Sequence, residues 1–176
     1  MPGGSLRSAV VVEVAGAAFV DEWRERTCAD RPSHGVPAHV TVVFPFVEPG
    51  RIDGALIAAL RTVTDRTEPF AFELREARRF PGTPGTLYLA PEPARRFVRL
   101  TEAFVARFPE HPPYEGAFDR VVPHLTVAQG DDQVLDAAEA AVRPLLPVGC
   151  TAREALLLGE AEPGRWQVCA RLPFAG

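Results

Sequence analysis

The chain contains no lysine. All 19 of its basic residues are arginine, set against 23 Asp and Glu, for a net charge of -4 over 176 residues. A chain this short of positive charge cannot coat long nucleic acid through its overall field, although a local arginine cluster still holds one or two phosphates, so small phosphorylated ligands stay open. Cysteine is scarce as well. Cys28, Cys150 and Cys169 are odd in number and far apart, which argues against a disulfide framework or a zinc knuckle and for a reducing cytoplasm. Each reads as a small hydrophobe. No apolar run is long enough to cross a bilayer, because the most apolar early stretch, Ser8 to Val20, is interrupted by Glu13. The same carboxylate argues against a signal peptide. What is present, 47% hydrophobic and 24% charged residues, is the balance of one folded domain over residues 1–176. It is expected to act as a monomer, away from membranes and without an obligate protein partner.

Periodicity then orders the chain. Val10 to Val14 is β-branched and reads as a strand, followed by Phe19, Val20 and Trp23 at helical spacing. After a turn-rich stretch from Asp30 to Pro37, residues 39–44 have strand composition and stop at Pro45. Ile52, Leu56, Leu60 and Val63 predict a second helix. Phe70, Phe72 and Leu74 alternate with polar residues, and Thr86 to Ala90 resumes extended structure beyond a Pro-Gly turn, which predicts a hairpin. Pro91 and Pro93 are expected to start a third helix carrying Phe97, Leu100, Phe104, Val105 and Phe108 on one stripe. Pro109 to Pro123 is too rich in proline for regular structure, and such connections often border sites. Residues 124–128 are strand-like, Asp131 or Asp132 can cap a fourth helix, and Leu156 to Leu158 with Trp166, Val168, Ala170 and Leu172 predict a closing hairpin. The order strand, helix, strand, helix, strand occurs over residues 8–79 and again over 84–159. Two copies suggest two lobes related by a pseudo-twofold axis with a cleft between them.

The chemistry lies in a repeated tetrad, His-x-Thr-hydrophobic, at His39 to Val42 and at His124 to Val127. Residues two apart on a strand share a face, so each His and Thr point into the cleft while the apolar pair packs the core. A pseudo-axis brings both imidazoles and both hydroxyls around one space from opposite sides. That arrangement suits an in-line displacement at phosphorus, one imidazole deprotonating the attacking oxygen and the other protonating the leaving oxygen. The hydroxyls of Thr41 and Thr126 can donate to the non-bridging oxygens. A single such tetrad is an ordinary half-buried polar pair, but two matched copies in matched strands point to function. His34 and His111 lack the motif and read as solvated loop residues.

These two motifs, Pro37-Ala38-His39-Val40-Thr41-Val42 and Val122-Pro123-His124-Leu125-Thr126-Val127, with a closing Trp166-containing hairpin, resemble the 2H phosphoesterases, specifically bacterial 2'-5' RNA ligase-like or cyclic phosphodiesterase-like proteins. The resemblance covers nearly the whole chain. It implies a two-lobed α+β fold of two pseudo-symmetric antiparallel-sheet lobes with outer helices and a central cleft. It also implies metal-independent chemistry, without a cofactor, on 2',3'-cyclic phosphates or 2'-5' phosphodiester linkages of nucleotides or RNA termini. His39, Thr41, His124 and Thr126 carry over as its catalytic residues. Arg78, Arg79 and Arg120 are candidates to neutralise phosphate, and Phe44, Tyr88, Tyr114 and Trp166 to stack a base. Two rival readings are a nucleotide or RNA-end binding module without turnover, and a metal site built on His39 and His124. The second has a poor ligand set, since no third donor accompanies the two imidazoles.

Overall fold

A computed structural model of the chain describes residues 6–28, 34–117 and 120–176. Residues 30–33 of the expected turn and residues 118 and 119 of the proline-rich connection lie outside the described residues. Eight strands run β1 (Ser8–Glu13), β2 (His39–Val43), β3 (Phe70–Phe80), β4 (Gly85–Glu92), β5 (Leu125–Gly130), β6 (Val148–Ala152), β7 (Glu154–Glu162) and β8 (Arg165–Pro173). The α-helices are α1 (Asp21–Thr27), α2 (Gly54–Thr64), α3 (Arg95–Arg107) and α4 (Asp132–Val142). No helix among the described residues is long and apolar enough to cross a membrane.

Local chemistry explains most boundaries. The Asp53 carboxylate accepts from the Leu56 backbone N–H at 2.8 Å and starts α2, and Asp131 does the same for α4 through Val134 N–H at 3.0 Å. The expected stripe of α3 is core, with Phe97, Leu100 and Phe104 all buried. Pro91 departs from expectation. It continues β4 opposite Leu74, at the shift where the ladder steps from Leu74 to Glu76, a place that tolerates a residue without an N–H. The helix begins only at Arg95. Strand β6, which the sequence pattern did not reveal, pairs with β3.

The strands form two antiparallel sheets, ordered β2-β1-β7-β8 and β5-β4-β3-β6. The two sequence copies are therefore not the two lobes. Strand β3 belongs to the first copy, yet it pairs with β4 in the second sheet, and β7 of the second copy pairs with β1 in the first sheet. The short 81–84 turn ties β3 to β4 as a hairpin, and local pairing prevails over the order of the repeats. Helices cross over in the same way. On α3, Thr101 donates its hydroxyl to Val42 O of β2 at 3.3 Å, while the Thr27 hydroxyl of α1 accepts from Gln129 N–H of β5 at 3.1 Å. Strands β2 and β5 are the edges of their sheets, and these contacts cover their open backbone. They also bring the two edges against each other, which places the two His strands side by side.

One buried cluster joins both sheets to the helices through Val10, Val40, Leu157, Phe72, Leu87, Leu125 and Phe104, among others. A smaller cluster of Ala9, Val11, Leu156 and Leu158, with Val36, Phe44 and Trp166, occupies the opposite face of the first sheet. In β8 the alternation from Trp166 to Leu172 does not keep one face. Leu157 pairs with Ala170 and Leu158 with Val168, so Cys169 is an extra residue. This bulge turns Trp166 and Val168 to the groove side while Ala170 and Leu172 stay with the core.

Candidate active site

Both tetrads carry the same irregularity. In the β1–β2 ladder Val10 pairs with Val43 and Val11 with Thr41, and in the β4–β5 ladder Leu87 pairs with Ala128 and Tyr88 with Thr126. Val42 and Val127, the fourth residue of each tetrad, are therefore matched bulges. A bulge bends and twists its strand, and here it aims the preceding His and Thr toward the groove. His39, Thr41, His124 and Thr126 are all half-buried, while Val40, Val42, Leu125 and Val127 are buried in the core.

The imidazoles are oriented identically. His39 Nδ1 lies 2.8 Å from Pro37 O, and His124 Nδ1 lies 2.8 Å from Val122 O. A carbonyl only accepts, so each Nδ1 carries the hydrogen and donates, and each Nε2 holds a free lone pair when the ring is neutral. Burial lowers both rings below the ordinary histidine value. His39 falls to about 4, chiefly through burial, then through the charge of Arg24, with Pro37 O opposing and His124 adding a smaller push. His124 is lowered by burial against the opposing Val122 carbonyl. His124 weighs on the His39 ring, in keeping with the contact between strands β2 and β5.

The second sphere differs between the halves. Opposite Thr126, Tyr88 stacks on Phe80 with centroids 4.1 Å apart, and both rings meet His124 edge-on, at 5.7 and 5.1 Å. At Thr41 the partner is Tyr114, whose side chain is hydrogen-bonded to the Thr41 side chain and whose N–H donates to Phe44 O at 2.6 Å. Burial raises the Tyr114 hydroxyl above its ordinary value, and the Thr41 bond works against that rise. Tyr114 and Glu115 sit in a 3-10 turn over Pro113–Gly116 with φ of 53° and 56°, a left-handed backbone uncommon outside glycine. The chain places that strain where it reaches Thr41.

The other candidates divide. Phe44 and Trp166 come together on the groove face, 6.3 Å apart, but Arg7 lies over both rings at 5.5 and 5.9 Å, tied at 2.9 Å to the buried carboxylate of Glu160. Tyr88 is buried and is packing for His124, so Phe80, half-buried beside it, is the more accessible ring of that wall. Arg78 pairs opposite Tyr88 and shares its face, with Glu76 as ion partner at 2.9 Å. Arg79 is a correction. It pairs opposite the core residue Leu87, and its guanidinium is engaged with Asp136 and Glu139 of α4 at 2.6 and 2.7 Å, on the other face of the sheet. Arg120 is exposed, four residues ahead of His124. His111 is not simply solvated either, since it is half-buried with its ring edge-on to Phe46 at 5.1 Å.

Two residues missed from the sequence are Phe80 and Arg24. Phe80 could have been found by extending the Arg78 face of β3 by two residues. Arg24 left no local signal beyond its i,i+3 spacing from Asp21. Beside His39 lies a cavity of about 560 Å³ whose wall includes Glu13, Arg24, Pro37, Leu156 and Val168. Among the described residues no three His, Cys, Asp or Glu side chains are grouped to hold a metal ion.

Residues 12–163 match the 2'-5' RNA ligase superfamily. A Bacillus cytotoxicus protein provisionally named a phosphoesterase is 31% identical over 94 residues, covering 53% of this chain and 52% of that protein, so the chain spans about half the length of the curated relative it matches. In three dimensions the chain is similar to TT0787 of Thermus thermophilus, with a TM-score of 0.67 at 22% identity over 97% of this chain and 98% of that one. It is also similar to Escherichia coli LigT in complex with 3'-AMP, with a TM-score of 0.61 at 13% identity over 97% and 99% of the two chains. At such identities the likeness establishes the fold, while the match over residues 12–163 establishes the family: the chain belongs to the 2'-5' RNA ligase superfamily of phosphoesterases.

Proposed function

We propose that the protein is a metal-independent phosphodiesterase for 2',3'-cyclic phosphates or 2'-5' linkages of nucleotides or RNA termini, with His39 and His124 as its general base and general acid. The observation that carries this reading is the duplicated lock, in which each Nδ1–H is tied to a carbonyl two residues back and each Nε2 keeps its lone pair, on two strands that lie against each other. With a cyclic phosphate between the rings, one neutral Nε2 takes a proton from the attacking water as its oxygen bonds to phosphorus. The other ring, protonated, gives its proton to the ribose oxygen as that P–O bond breaks, and a phosphomonoester with a free hydroxyl remains. With a 5'-hydroxyl in place of the attacking water and the ribose 3'-oxygen as the leaving group, the same steps join a 2'-5' bond. Thr41 and Thr126 donate to the non-bridging oxygens as charge develops. The crystal structures of E. coli LigT with 3'-AMP, NADP+ and ATP support a groove of nucleotide size in this fold.

The test is a panel of 2',3'-cyclic nucleotides and 2'-5'-linked dinucleotides assayed with purified protein in excess EDTA. Turnover of at least one substrate at an undiminished rate is expected. Tight nucleotide binding without turnover anywhere in the panel, or activity lost to EDTA and restored by a divalent ion, contradicts the proposal.

A further inference from the structure

The two histidines have the same strand position, the same bulge and the same Nδ1 lock, yet their backing differs. Behind His39, and not as part of the tetrad, stands Arg24 of α1, with only 11% of its side chain exposed. Its Nη1 donates to Asp21 Oδ1 at 3.0 Å and to Val36 O at 3.3 Å. Val36 precedes Pro37, whose carbonyl holds the His39 ring. The guanidinium thus braces the short segment that orients the imidazole. The far end of that segment is fastened to the β7–β8 hairpin, since His34 N–H donates to Gly164 O at 3.0 Å and Trp166 N–H to His34 O at 2.8 Å. Gly35, at φ +88°, lies so close to this hairpin that a Cβ there would meet Trp166 O at 2.3 Å. A segment held at both ends gives the ring above it one orientation.

We propose that Arg24 is a positioning residue that commits His39 to accepting the proton and leaves its donation to His124. This rests on the acid-base reading above and assigns the two roles within it. The charged and titratable groups around His39 and its cavity are Glu13, opposite it on β1; Arg24, Asp21 and Glu25 of α1, with Cys28 just beyond that helix; His34; Arg171 of β8, engaged with Glu154; Tyr114; and His124 of β5. Among them Arg24 is the cation that weighs most on the ring. Burial is the larger cause of the neutral ring and the half-buried cation beside it adds to that, so at physiological pH His39 is suited to accept a proton and not to donate one. His124 is backed instead by the rings of Phe80 and Tyr88. Burial is the main force on its proton and no cation among the described residues adds to it, so a bound phosphate anion, which favours protonation of either ring, meets less opposition there than at His39.

The chain has four histidines, so NMR titration of isotope-labelled imidazoles reads each one. In Arg24→Met the His39 midpoint is expected to rise by roughly 0.5 to 1 pH unit, and in Arg24→Lys, which keeps the charge, to stay within about 0.3 unit of wild type. Asp21→Asn, which unmasks the Arg24 charge, should lower it. His111, remote from the cavity, serves as the internal control. On a 2',3'-cyclic nucleotide, the acid limb of kcat/KM should follow the His39 titration and shift with it in Arg24→Met while the alkaline limb stays. An unmoved His39 midpoint in an Arg24→Met protein that melts like wild type overturns the proposal, as does an acid limb that tracks His124. Should Arg24→Met not fold, Asp21→Asn decides, and an unmoved or raised His39 midpoint overturns it. Absence of turnover in wild type would sink the acid-base reading alone, because the titrations still decide whether Arg24 governs His39.

Discussion

Strands β2 and β5 are the same device built twice, and their differences are as informative as their likeness. Both set a His and a Thr on the groove face, both insert an extra valine immediately after the Thr, and both tie Nδ1 to a carbonyl two residues back. What is common is what in-line chemistry at phosphorus requires of each side: an oriented Nε2 and a nearby hydroxyl. What differs lies one layer out. The β2 half has a half-buried arginine behind its imidazole and a tyrosine bonded to its threonine, while the β5 half has a wall of two stacked aromatic rings. A duplicated scaffold keeps its strand chemistry and specialises through the neighbours it packs against.

The largest expected effect tests the likeness. His39→Ala and His124→Ala should each lower turnover by roughly a hundredfold to ten-thousandfold, and the double variant should fall far short of the product of the two, since both serve one transition state. Steady-state rates on the same cyclic substrate check this. Full activity in either single variant breaks the pairing.

Next come the hydroxyls. Thr41→Val and Thr126→Val keep shape and strand preference but remove one hydrogen bond to a charged oxygen, worth about 1.5 to 3 kcal/mol, so rates should drop roughly tenfold to 150-fold with little change in melting temperature. Tyr114 sharpens the comparison. Tyr114→Phe should slow wild type modestly and add nothing in a Thr41→Val background, because its hydroxyl acts through Thr41. An equal effect of Tyr114→Phe in both backgrounds would place Tyr114 on the substrate directly.

Acid stability separates the halves on a smaller scale. His39, with a folded value of about 4 against about 6.5 unfolded, binds its proton more readily when the chain is unfolded. Its neutral form therefore contributes stability above pH 6.5 that is lost progressively as pH falls through 4, up to about 3 kcal/mol. Denaturant unfolding from pH 7 to 4 should show a shallower loss in His39→Gln than in wild type. Equal slopes would mean that the ring is not held neutral by the fold. Smallest of all, Arg79→Ala should leave turnover unchanged and barely move the melting temperature, since its ion pairs with α4 are solvated and face away from the groove.

Much of this was legible in the sequence, for identifiable reasons. Periodicity located α2, α3 and α4 because each carries an unbroken apolar stripe, and the tetrads announced themselves because both copies are complete. The β3–β4 hairpin that ties the two copies together was legible in its Pro-Gly turn, but the pairing of β7 with β1 was not, since no residue pattern states which distant strands pair. The bulge at Cys169 was hidden for a similar reason, because strict alternation in sequence implies one face only while the ladder stays in register. Arg79 was misplaced by half a strand period, while Tyr88 lies on the expected face but is buried as packing for His124. Which of two adjacent arginines shares a face with the histidine depends on the β3–β4 register, which composition does not state. Arg24 is tied to the His39 segment through a backbone carbonyl twelve residues away and acts on the ring by its charge, neither of which a sequence pattern shows.

In the proposed mechanism the two tetrads act from opposite sides on one phosphorus. Its most direct test is the pH dependence of kcat/KM on a 2',3'-cyclic nucleotide in EDTA, measured for wild type, His39→Ala and His124→Ala with chemistry rate-limiting. Wild type should give a bell, and each variant, at its residual rate, should lose one limb and keep the other. A bell that survives intact in either variant would contradict the account.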